Sequence, residues 1–133
     1  MQRRLYVITR GRISLTGHAP VLLLTTVGRR TGRERTIPLF YLRDDNRLVV
    51  CNVNPGLERP NPWTLNLIAE PHALVTLGSE TYGVTARKAL QDEVDSYWPR
   101  FTKLWPAYQT FADRGGTISV FILEPAHHRP VVA

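Results

Sequence analysis

The apolar runs of this chain are short, and that limits its fold more than any other feature. Stretches such as Val21 to Leu24 and Val120 to Leu123 end after a few residues in polar groups or turn signals, far below the roughly 18 to 20 residues of a membrane-spanning helix. Short runs rich in β-branched residues read as strands. Val21 to Val27 is the first; it turns at Gly28 and Thr31-Gly32 and returns as Arg35 to Arg43. Asp44-Asp45-Asn46 is a second turn, opening onto Arg47 to Val53, so three strands in a meander are expected. Ala73 to Leu77 and Tyr82 to Leu90, joined at Gly78-Ser79-Glu80, and then Thr117 to Leu123 complete six.

Helices should be brief. Asn61 stands as an N-cap before Pro62 at the first helical position, and Pro71 stops that helix near Ala69. Asp92 and Glu93 mark another helix start, with a break or kink expected at Pro99, and a further short helix follows Pro106. The pattern predicts an α+β, mainly β chain: a six-stranded antiparallel barrel with short peripheral helices rather than a parallel α/β sheet.

With 133 residues the chain reads as one domain over 1–133, with an N-terminal segment over 1–18 and a tail over 126–133. Its apolar fraction of 43% and lack of low-complexity runs place it among globular chains. The single cysteine, Cys51, cannot close an internal disulfide, and no apolar run of signal-peptide length follows Arg3 and Arg4, so a cytoplasmic location is expected. No histidine has a cysteine or carboxylate at ligand spacing, and no metal is expected. The net charge of +6 points to an anionic partner: nucleic acid, lipid headgroups or a multiply charged small molecule. Aromatic residues do not interleave with the basic ones as a nucleic-acid surface requires, which argues against that partner. Arg3, Arg4, Arg10 and Arg12 are compatible with peripheral contact to headgroups. Both a monomer and a homodimer fit the sequence.

Three clusters carry chemistry. Gly28 to Thr36 places four arginines in seven positions around a turn, and guanidinium forks beside exposed backbone N–H groups suit phosphate oxygens; solvated arginines are the bland reading. Trp63 and Asn66 share a face of the helix that begins at Asn61-Pro62, giving a flat wall beside an amide; a core tryptophan and a satisfied asparagine would look the same. Tyr108 and Phe111 share a helix face near Trp105, which suits either an apolar pocket or an aromatic core. Dinucleotide-binding, nucleotide-hydrolysing and serine-hydrolase motifs are all missing.

Taken in order, these clusters resemble the deazaflavin (F420)-dependent nitroreductase family, the split-barrel F420H2-dependent reductases of actinobacteria. The resemblance runs from about Leu22 to Pro125. It rests on Gly28 to Gly32, Arg35, Pro38-Leu39, Arg43-Asp44, Val49-Val50, Pro62-Trp63 with Asn66-Leu67, Ala86-Arg87, Tyr97-Trp98-Pro99, Pro106 with Tyr108-Gln109, and Glu124-Pro125. It implies a split β-barrel and an oxidoreductase that passes a hydride from reduced F420 to a flat, electron-poor quinone, enone or nitroaromatic. Arg30, Arg33 and Arg35 would grip the coenzyme's phosphate and oligoglutamate tail, with Thr31 and Gly32 shaping the turn. The ring would lie against Ile37, Pro38, Cys51, Asn52, Val53, Asn54, Pro62, Trp63 and Asn66. Phe40, Trp105, Tyr108 and Phe111 would line the substrate pocket, with Tyr108 or solvent as the proton source. Nitroimidazole-activating members tend to carry tyrosine at the positions of Phe40, Trp105 and Phe111, so only Tyr108 keeps a hydroxyl here. Flavin mononucleotide (FMN) is the alternative cofactor, and haem a further one, as in relatives of the wider fold.

Overall fold

The computed structural model describes residues 20–54, 61–115 and 117–126. Strands β1 (Val21–Val27) and β2 (Glu34–Phe40) form one hairpin, and β3 (Leu42–Asp44) and β4 (Arg47–Asn54) a second. Helix α1 (Pro62–Ala69) leads to β5 (His72–Leu77) and β6 (Glu80–Lys88). Helices α2 (Gln91–Leu104) and α3 (Ala107–Asp113) precede β7 (Thr117–Pro125). One antiparallel sheet holds all seven strands in the order β2-β1-β5-β6-β7-β4-β3.

Seven strands, not six, is a correction with a physical cause. The expected strand Arg35 to Arg43 is divided at Tyr41, whose N–H goes to the Pro20 carbonyl at 3.2 Å. Its first part pairs with β1 and its second with β4. The two ends of the sheet order, β2 and β3, are therefore consecutive in the chain with Tyr41 alone between them. A sheet whose edges are tied together this closely has to curl, which gives the barrel its closure. The meander is bent at Tyr41, and the outer sides of β1 and β4 are taken by β5 and β7.

β4 and β7 are apolar on both faces because both faces are covered. Leu48, Val50, Phe121 and Leu123 point into the barrel with Leu22, Leu24, Val75 and Val84. Val49, Cys51, Val53, Val120 and Ile122 point the other way, beneath Tyr97, Phe101 and Tyr108 of α2 and α3. Phe101 and Phe121 are fully buried, each contributing about 2–3 kcal/mol of apolar transfer.

Helix α2 runs through Pro99 to Leu104 instead of breaking there. Pro99 and Asp95 are both exposed, so the Asp95 carbonyl that loses its donor is left to water. Polar contacts fasten α2 to the barrel. Arg87 bonds both Glu93 oxygens at 2.9 Å, Tyr97 donates to Asp44, and Arg47 donates to both Asp44 and Tyr97. The β5–β6 turn is Gly78-Ser79, with Gly78 at φ 66°, and β6 starts at Glu80 and stops at Lys88, ahead of Leu90.

Candidate functional site

The β1–β2 hairpin extends past its ladder into a tight loop. Gly28 N–H donates to the Arg33 carbonyl at 2.7 Å, Gly32 N–H donates to the Gly28 carbonyl at 2.8 Å, and Thr31 Oγ1 accepts the Arg33 N–H at 3.1 Å. Gly32 sits at φ 74°, where a side chain is strained. A Cβ on Gly28 would lie 2.9 Å from Thr31 Oγ1, so the loop closes this tightly only around glycine. Arg30, Arg33 and Arg35 project from it exposed, and among the described residues they make no ion pair.

Across from the hairpin stands the start of α1. Asn61 takes the extended N-cap geometry ahead of Pro62, but its side chain donates to Asn52 Oδ1 instead of capping the helix. Trp63 packs against Phe121, ring centroids 5.8 Å apart, and also reaches the cavity described below. Asn66, 4% exposed, accepts the Arg29 N–H at 3.1 Å and Arg29 Nη1 at 3.3 Å on Oδ1, and its Nδ2 donates to Thr26 Oγ1 at 3.2 Å.

Hairpin and helix enclose a cavity of about 650 Å³. Of the residues singled out in the sequence, Arg30, Thr31, Arg35, Ile37, Pro38, Pro62, Trp63 and Asn66 line it. Gly32 and Arg33 belong to the loop but not to the lining, and Asn52 stands behind Asn61. Cys51 and Val53 are not in this wall, because strand alternation turns them to the helix-covered face. Asn54 ends β4, and its side chain lies outside the described residues, as do Pro55, His127, His128 and the basic residues of the N-terminal segment. Sequence reasoning missed Thr26, Arg29, Leu39 and Asn61 as lining residues. Period-two alternation from Leu22 and Leu24 was the available signal for Thr26.

A second cavity of about 340 Å³ lies beside the first and shares Pro38 and Leu39 with it; Val21, Phe40, Trp105 and Tyr108 complete its wall. Phe111 stands behind, edge-on to Trp105 at 6.1 Å. Tyr108 is the hub of the aromatic group, edge-on to Phe40, Phe101 and Trp105 at 6.3, 5.8 and 5.0 Å. Burial pushes the Tyr108 hydroxyl far above the ordinary tyrosine range, and burial pushes the Cys51 thiol up to about 12, so neither ionises at neutral pH.

These surfaces suit the group that the resemblance implies. A coenzyme with a flat ring and a polyanionic tail needs a planar wall at one end and uncompensated cations at the other. Trp63, Ile37 and Pro38 supply the first, and Arg30 and Arg35 the second. Comparison with known proteins agrees. Residues 1–125 match the family of F420H(2)-dependent quinone reductases. Over 103 residues the chain is 34% identical to an F420H(2)-dependent quinone reductase of Mycobacterium tuberculosis, an alignment covering 76% of this chain and 66% of that one. The chain thus spans just under two thirds of that relative's length. Among solved structures it is similar to an F420-H2 dependent reductase (FDR-A), with TM-score 0.66, 29% identity, and coverage of 79% of this chain and 94% of that one. It is also similar to a chain described as a domain-swapped dimer, with TM-score 0.72, 25% identity and 92% of each chain covered. A family match that takes in the barrel, the arginine loop and α1 without interruption is decisive, and the chain belongs to the F420H(2)-dependent quinone reductase family.

Proposed function

We propose that this chain holds reduced F420 in the larger cavity and reduces a quinone, with flat enones and nitroaromatics as related acceptors, in the smaller one. The observation that carries the reading is the trio of hairpin guanidiniums that, among the described residues, have no carboxylate partner, two of which line the same cavity as Trp63. When bound, the reduced deazaflavin supplies a hydride from carbon 5 of its ring. Arg30 and Arg35 hold the phosphate, and Arg33, outside the cavity wall, meets the acidic tail. Trp63 and Pro38 position the ring. Because Pro38 and Leu39 belong to both cavities, an acceptor between Phe40, Trp105 and Tyr108 lies next to it. The Tyr108 ring serves as wall; Tyr108 is buried, and burial raises its hydroxyl far above the ordinary tyrosine range, which makes it a poor acid, so the proton on the reduced acceptor's oxygen comes from water. Among the described residues no helix is long and apolar enough to cross a membrane. Contact of Arg3, Arg4, Arg10 and Arg12 with anionic headgroups would bring the chain to where apolar quinones dissolve.

The test is a titration with F420 followed by deazaflavin fluorescence, with FMN as competitor, and then anaerobic reduction of a naphthoquinone. Saturable binding that weakens with salt and resists FMN is the expected result. No F420 binding, with FMN taken up instead, would overturn the proposal.

A further inference from the structure

We infer that Asn66 is a positioning residue for the coenzyme's anionic end rather than a ligand of its ring, and that it acts by pinning the arginine loop to α1. The inference rests on the F420 reading above.

The β1–β2 ladder ends at the pair Val27 and Glu34, and the loop beyond it is held inside by its own hydrogen bonds. Among the described residues, the hydrogen bonds that tie residues 28–33 to anything outside the hairpin both go from Arg29 to Asn66 Oδ1. Asn66 is in turn fixed from behind by Thr26, which is 1% exposed, through the Nδ2 bond at 3.2 Å. Thr26, Asn66 and Arg29 form one chain of contacts from the wall of the barrel to the tip of the loop. Among the described residues, both acceptor positions of Oδ1 are occupied and one amide N–H is left over.

Two consequences follow. Arg29 is the anchor of the loop, its backbone N–H and Nη1 both committed to Asn66 Oδ1, and the exposed guanidiniums of its neighbours are placed by that anchor. Those neighbours stand on a loop that, without the pin, would hinge at the end of the ladder and have to be ordered by the ligand itself, a cost charged against affinity. The effect should be felt only by a ligand with an anionic tail. A ring held by Trp63 and Pro38 alone does not depend on where the loop stands.

The experiment compares two ligands: intact F420, and the same 8-hydroxy-5-deazaflavin riboside lacking the phosphate and glutamate tail. Asn66→Ala should raise the Kd for F420 about tenfold, the equivalent of a lost buried hydrogen bond, and leave the Kd for the riboside within about twofold of wild type. Thr26→Val keeps the shape of a side chain in the cavity wall and removes only the hydroxyl that holds Asn66. It should reproduce the pattern at about threefold, and it serves if Asn66→Ala does not fold. An equal penalty for both ligands would mean that the leftover N–H meets the ring, and would overturn the inference. So would unchanged affinity for both. Failure of the wild-type chain to bind either ligand would instead bring down the F420 reading, and this inference with it.

Discussion

Replacing Gly28 by alanine puts a methyl group 2.9 Å from Thr31 Oγ1 and 3.1 Å from the Arg33 carbonyl oxygen. Both are closer than carbon and oxygen sit at contact, and neither neighbour is free to leave. Thr31 can rotate away only by releasing the Arg33 N–H that its Oγ1 accepts, and the Arg33 carbonyl is held by the Gly28 N–H at 2.7 Å. Relief therefore sacrifices one exposed hydrogen bond and stretches a second. At about 0.5–1.5 kcal/mol for each bond, the variant should lose about 1–2 kcal/mol. For a chain of this length that is a fall in Tm of about 3–10 °C, read by calorimetry or circular dichroism. The double variant with Thr31→Ala isolates the cause, since it deletes the nearer of the two clashing atoms. Its loss should be smaller than the sum of the single losses by about 1 kcal/mol. Strictly additive losses, or a Gly28→Ala protein as stable as wild type, would refute the close-approach account of this loop.

Three further outcomes are expected. Arg30→Ala and Arg35→Ala should each weaken F420 binding about tenfold, the low end for a charge-assisted contact because both side chains are exposed, and should flatten its salt dependence; unaltered affinity in both would remove the phosphate assignment. Tyr108→Phe should leave naphthoquinone turnover within about twofold and lower stability by about 1 kcal/mol, whereas a large fall in kcat at unchanged Tm would put the hydroxyl into the chemistry. The Arg87 guanidinium first, and the Leu90 N–H second, hold the Glu93 carboxyl down at about 2. A depressed carboxyl stabilises the fold above the ordinary glutamate range and loses that contribution as pH falls through it towards the folded value. Glu93→Gln should thus lower Tm at pH 7, with the gap to wild type closing between about pH 4 and pH 2; a gap independent of pH would refute the pairing.

Local signals were legible where they sit within a few residues of one another. Asn61-Pro62 and Pro71 bracket α1 within the sequence, and the glycines of the first loop announce a tight turn. Tyr41 carries no such mark. No glycine or proline accompanies the change of partner from β1 to β4, which is forced by closure of the sheet and not by local preference. Cys51 and Val53 lie outside the cavity wall for a related reason: in a strand apolar on both faces, alternation separates 51 and 53 from 50 and 52 but cannot say which set turns to the covering helices. The link from Thr26 through Asn66 to Arg29 joins residues up to 40 positions apart, and only the folded chain brings them together. Pro99 has the opposite lesson: a residue that should stop a helix is tolerated where the orphaned carbonyl meets water.

The proline in β2 connects the fold to the site. Gly28 with Arg33 and Pro20 with Tyr41 are hydrogen-bonded partners across the first hairpin, and the two-residue period of an antiparallel ladder then gives the β1-facing positions to Arg35, Ile37 and Leu39. Pro38 falls between them, so its missing N–H faces away from β1 and costs the ladder nothing. Among the described residues no strand pairs with that far side, since β2 stands at the end of the sheet order and is followed by the other end after Tyr41. Pro38 and Leu39 form the common wall of both cavities. Among the described residues the barrel closes through Tyr41 rather than through a row of hydrogen bonds, and the wall that the two cavities share stands at that closure.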